Sequence, residues 1–174
     1  MRQISYSVLC TFALFSAALT GCDKKDRKVG DVVERPGEPD IISVDENDPR
    51  MNAAIDKARS TVGQFIKALG NPQSFQSGFS VKAPIRDGEH IEHMWLAPVH
   101  YRDGKFVGTV NNEPDVVKTV KLGEQYELKT GDISDWMYVE NGKLVGGFTI
   151  RVLRDAAPKE KRAEFDRSVP FKIE

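Results

Sequence analysis

Trp136-Met137-Tyr138-Val139-Glu140-Asn141-Gly142-Lys143-Leu144-Val145-Gly146-Gly147-Phe148-Thr149-Ile150-Arg151 reads as two extended runs joined by an Asn-Gly pair. Asn-Gly is the favoured centre of a two-residue type I′ turn, because both central residues need positive φ. Such a turn sets the register: Glu140 faces Lys143, Val139 faces Leu144, Tyr138 faces Val145, Met137 faces Gly146 and Trp136 faces Gly147. Side chains then sort with period two. Met137, Val139, Leu144, Phe148, Ile150 and Val152 share an apolar face. Trp136, Tyr138, Glu140, Lys143, Thr149 and Arg151 share the other. The paired glycines are expected to thin the sheet so that Trp136 lies across Gly147.

Working outward, turn signals recur at Asp87-Gly88, Asp103-Gly104, residues 112–114, Gly123, Gly131-Asp132 and Asn141-Gly142, the punctuation of a series of antiparallel strands. A turn centred on Asp87-Gly88 puts Phe79, Val81, Met94 and Leu96 on a core face and Lys82, His93 and Trp95 on the reverse. Upstream, Met51, Ala54, Ile55, Ala58, Val62, Phe65, Ile66 and Leu69 are spaced by threes and fours, one apolar stripe of a helix over residues 49–69. Asp48 is placed to cap it, Pro49 suits its first position, and Gly70 and Pro72 end it. A short helix over residues 158–166 closes the pattern. The expected fold is α+β: an N-terminal amphipathic helix on a curved, mostly antiparallel sheet of about six strands, open or partly closed into a barrel, with a short C-terminal helix. Residues 49–174 are enough for one core.

The first 21 residues carry one basic residue, Arg2, then an uncharged apolar run over residues 4–19 and small residues at the end, the pattern of a signal peptide. The run is short of the roughly 20 apolar residues a transmembrane helix needs. Leu19-Thr20-Gly21-Cys22 resembles the lipobox of bacterial lipoproteins, which implies acylation of Cys22, for example by palmitate, and cleavage before it. Asp23 resembles an inner-membrane retention signal, and the choice between inner and outer membrane stays open. Residues 23–48 are rich in charge, Pro and Gly and read as a flexible tether with an average reach of roughly 25–30 Å. Residues 41–44 are the one stretch there suited to an edge strand. The domain is expected in the periplasm, anchored to a membrane through lipid.

Of two cysteines, Cys10 would leave with the peptide and Cys22 would carry the lipid. The domain itself then has no thiol for a disulfide, a zinc site or a nucleophile. Loss of Arg2 takes Lys+Arg from 25 to 24 against 26 Asp+Glu, and the net charge from -1 to -2, which does not suit nucleic acid.

Residues 92–96, 132–139 and 141–151, with Phe165-Asp166 and Pro170-Phe171, resemble the bacterial family called domain of unknown function 2314. The resemblance runs from Phe75 to Glu174. It implies fold and compartment and brings no catalytic residue.

Candidate chemistry is therefore read from the residues. Glu89-His90-Ile91-Glu92-His93 is not the helical zinc-protease motif, since His90 and His93 point to opposite faces of a strand; no metal and no cofactor is expected. No nucleophile elbow lies near any of the three histidines. Asp132 and Asp135 suit either an acid-base pair or turn and strand-entry positions. His93, Trp95, Trp136, Tyr138 and Arg151 are the aromatic-plus-arginine set of a binding hot spot, provided they share an open face; a covered or interior face is the alternative. The leading expectation is a non-enzymatic binding or accessory module for a protein or cell-wall partner, an immunity-type inhibitor being one form. A hydrolase using Asp132, Asp135, Glu92 or His93 is the alternative.

Overall fold

The computed structural model describes residues 48–174, together with the backbone of three earlier strands, β1 (Gln3–Tyr6), β2 (Val32–Arg35) and β3 (Glu38–Asp45). Cys22 and most of the signal-peptide reading lie outside the described residues. Helix α1 (Pro49–Gly70) follows, then β4 (Gln76–Asp87), β5 (His90–Arg102), β6 (Lys105–Val110), β7 (Gln125–Lys129), a 3-10 turn (Thr130–Asp132), β8 (Asp135–Glu140), β9 (Lys143–Gly146), α2 (Phe148–Ala156) and α3 (Lys159–Ser168). The six strands β4 to β9 form an open antiparallel sheet in the order β7-β6-β5-β4-β8-β9. β1 pairs parallel to β5 and antiparallel to β3, so it links the β2-β3 pair to this sheet.

Helix α1 forms where the apolar spacing places it. Asp48 Oδ1 accepts the Arg50 N–H at 2.8 Å as an N-cap, and Pro49 takes the first position. The Asn141-Gly142 turn has both residues at positive φ, 49° and 75°, and the pairings from Glu140–Lys143 to Met137–Gly146 stand as the type I′ geometry requires.

The first hairpin differs from its expected register. Its two-residue turn is Gly88-Glu89, so Asp87 pairs with His90 and Lys82 with Trp95. The whole ladder moves by two residues, and an even shift leaves every side chain on its expected face.

A second difference changes the architecture. Residues 148–152 were expected as strand and are the first half of α2. Gly146 and Gly147 both have positive φ (73° and 61°), which turns the chain off the sheet, and Ile150, Leu153 and Ala157 recur at helical spacing and are buried. Five residues alternating in polarity are too few to separate the two periods. Gly146 rather than Gly147 lies under Trp136: a Cβ on Gly146 would come within 2.6 Å of two Trp136 ring atoms.

Both faces of the central strands are buried. Ala58 and Phe65 of α1 pack with Val81, Leu96, Phe106 and Trp136 in one cluster. Trp95, Met137, Leu144, Ile150, Leu153 and Phe171 form a second, which includes Met51 at the start of α1. Successive residues of β5 (Met94, Trp95, Leu96) and of β8 (Trp136, Met137, Tyr138) thus enter different clusters.

Candidate functional site

The row Trp95–Lys82–Asp135 crosses β5, β4 and β8. Lys82 and Asp135 are wholly buried. Asp135 accepts four hydrogen bonds: from the N–H groups of Trp136 (2.8 Å), Phe148 (3.2 Å) and Thr149 (2.8 Å), and from Thr149 Oγ1 (2.6 Å). Two of those amides are the first of α2, so a carboxylate on β8 supplies the cap that Gly147 lacks and meets the positive end of the helix. Lys82 Nζ donates to Thr149 Oγ1 at 3.1 Å and lies 4.8 Å from the centre of the Trp95 ring. Burial pulls the Lys82 pKa down to about 8 although Asp135 opposes it, and burial raises that of Asp135 against the pull of Lys82 and the Thr149 and Trp136 hydrogen bonds.

His93 is 4 % exposed. Burial first, then the positive charges of Lys82, Arg59 and Arg86, bring its pKa down to about 3. It is neutral at physiological pH and a weak base. Glu92, also buried, accepts the backbone N–H groups of Asp115, Val116 and Val117 at 3.0–3.3 Å, and Asp87 Oδ2 accepts that of Lys118 at 2.7 Å. Two carboxylates of the β4-β5 hairpin thereby pin the loop between β6 and β7 by accepting from a row of its amides.

The aromatic set does not share a face, which corrects the expected assembly. Trp136 and Tyr138 belong to the α1 cluster, and Trp95 and His93 stand in alternate rows on the other side. Trp136, 1 % exposed, donates from Nε1 to the Ala58 carbonyl at 2.9 Å, lies 5.6 Å from the Phe65 ring and meets Phe148 edge-on. Tyr138 stacks on Phe79 at 5.0 Å and is 4 % exposed. Alternation along the strands is real, but both faces are covered, so it does not mark an outside. Arg151 joins neither group: it donates to the carbonyls of Gly146 (3.3 Å), Leu144 (3.0 Å) and Glu174, tying the C-terminal residues to β9. Asp132 is exposed whereas Asp135 is fully buried, so the two carboxylates stand in different environments.

Asp132 instead lines an open cleft of about 510 Å³. Four cations, Arg59, Arg86, Lys105 and Lys129, face it with two carboxylates, Glu127 and Asp132. Lys105 and Glu127 pair at 2.6 Å, and Arg59 Nε donates to the Ile133 carbonyl at 2.9 Å, fixing the guanidinium at the wall. The sequence reading passed over these cations because they come from α1, β4, β6 and β7 and meet only in the fold. Lys82 did carry a signal, a lone cation between buried apolar residues of one strand. Among the described residues no three His, Cys, Asp or Glu side chains gather as a metal site.

An open antiparallel sheet with an N-terminal helix and the close contact of Trp136 with Gly146 characterise the domain. Residues 48–173 match the model of the DUF2314 family, described as an uncharacterized protein conserved in bacteria, and the chain belongs to that family. The match takes in α1 as well as the strands from β4 onward. The chain is 40 % identical over 114 residues to the uncharacterized protein YegJ of Escherichia coli strain K12, covering 66 % of this chain and 73 % of that protein. It is 37 % identical over 139 residues to a putative ankyrin repeat protein of Neisseria meningitidis serogroup B, covering 75 % of this chain and 54 % of that protein, about half its length. No solved structure matches.

Proposed function

We propose that the chain is a bacterial envelope lipoprotein, acylated on Cys22, whose periplasmic domain is a non-enzymatic binding or accessory module for a protein or cell-wall partner, an immunity-type inhibitor being one form. The observation that carries the reading is the division of charged groups. Of the four groups named for a hydrolase, Asp135, Glu92 and His93 are buried, and both carboxylates among these three accept several backbone hydrogen bonds, while Asp132 is exposed at the cleft. The cations of the cleft are open to solvent and therefore available to a partner.

Anchoring through a tether requires that β2 and β3 leave the sheet once the leader is removed. Cleavage before Cys22 takes β1 away, and β1 is the strand that joins β2 and β3 to the sheet. A two-stranded hairpin alone is marginal in water, so the mature segment regains its length as a tether. The longer Neisseria relative gives separate support. Its name indicates ankyrin repeats, which stack into extended binding surfaces, and the present sequence shows no such repeat of its own.

The test is a photo-reactive amino acid at Lys129 in the cleft and, as a control, at Asn52 on α1, in the full chain expressed in its own cells. A discrete adduct from position 129 that position 52 does not give is the expected result. Equal adduct patterns at both positions would overturn the reading, as would turnover of an envelope substrate lost in a folded Glu92→Gln or His93→Gln variant.

A further inference from the structure

The cleft gathers positive charge in a chain whose net charge is -1, since its four cations outnumber its two carboxylates. The carboxylates are not equivalent. Glu127 is paired with Lys105, which leaves Arg59, Arg86 and Lys129 facing Asp132. Arg59 is held through Nε to the Ile133 carbonyl, so its two terminal NH2 groups keep their donors. Among the described residues, the Arg86 guanidinium and the Lys129 ammonium have no hydrogen-bond or ion-pair partner. Tyr126 adds a ring and a hydroxyl to the wall.

We propose that this cleft is a binding site for a phosphate group. The inference rests on the binding-module reading and adds its ligand class. Three cations not already paired in the cleft, two of them guanidiniums with fork geometry, suit a doubly charged, multi-oxygen anion better than a lone carboxylate. Asp132 accepts a hydrogen bond from a hydroxyl carried on the same ligand, and the Tyr126 hydroxyl donates to a phosphate oxygen. At the envelope such a group is either free phosphate or the phosphodiester of an anionic lipid headgroup.

The experiment titrates the purified full chain in detergent with inorganic phosphate and, separately, with glycerophosphoglycerol, the water-soluble head of phosphatidylglycerol. Calorimetry reads the affinity. Saturable binding is expected, weakened about tenfold in Arg86→Ala and further in Arg86→Ala with Lys129→Ala, at unchanged Tm because both residues are exposed. Arg86→Lys keeps charge but not the fork and should fall between. Lys57→Ala, outside the cleft, should bind as the parent does. Tighter binding of glycerophosphoglycerol identifies a lipid head as the source, and tighter binding of inorganic phosphate a free anion; either supports the site. Absence of saturable binding, or equal affinity in the parent and Arg86→Ala, overturns it. If position-129 adducts persist in that case, the ligand class alone has failed; if they are also missing, the binding-module reading fails with it.

Discussion

At the scale of single residues, the buried Asp135 is both the cap of α2 and the counter-charge of Lys82. Removing it leaves an uncompensated buried ammonium and orphaned amides. Asp135→Ala should therefore destabilise the fold by about 3–5 kcal/mol, the cost of breaking a buried pair, read by urea denaturation. A loss below about 1 kcal/mol would mean that the cluster is not held as the hydrogen bonds indicate. His93 supplies a pH test. Its folded pKa, about 3, lies below the ordinary imidazole value of 6.5, so below pH 6.5 the unfolded chain binds a proton that the folded chain refuses. Stability should therefore fall as pH drops from 6.5 toward 3, by up to about 1.4 kcal/mol per pH unit, and His93→Gln should flatten that fall. Identical pH profiles for the two proteins would place His93 in solvent.

At the scale of elements, the turn into α2 depends on Gly146. Its φ of 73° and the Trp136 ring beneath it leave no room for a Cβ, so Gly146→Ala should be more damaging than a change at Gly142, where a Cβ meets only open space. Trp136→Ala should cost about 3–5 kcal/mol through the cavity between α1 and β8, measured by thermal or urea unfolding. A Tm close to that of the parent would show Trp136 to be a surface residue after all. Most elements were legible in the sequence. The 3-4 spacing from Met51 to Leu69 defines α1 because a long stripe repeats its period several times, and Asn141-Gly142 defines the β8-β9 register because few residues accept its φ values. Helix α2 was not legible. Its first five residues alternate as a strand does, and its cap is supplied by Asp135, thirteen residues away on another element. The candidate site was less legible still. Period two separated the faces of β5 and β8 correctly but could not relate them across β4 until the Lys82–Asp135 pairing was known, and the cleft cations come from four elements.

At the scale of the whole molecule, a sheet covered on both faces buries Lys82, Glu92, His93 and Asp135 and offers a charged cleft outside, which is the plan the proposed binding role uses. The proposed lipid anchor would decide whether that plan operates in the envelope, and the proposal hangs on one side chain, Cys22, because the other cysteine in the sequence, Cys10, lies within the stretch read as a signal peptide. Two acyl chains are enough for stable membrane attachment, whereas the unacylated chain has no equivalent anchor among its described helices, none of which is long and apolar enough to span. The direct measurement is metabolic labelling with radioactive palmitate, comparing the parent chain with Cys22→Ala after membrane fractionation. The account predicts label in the membrane-bound parent and none in the variant; label of equal strength in both, or an unlabelled parent, would contradict it.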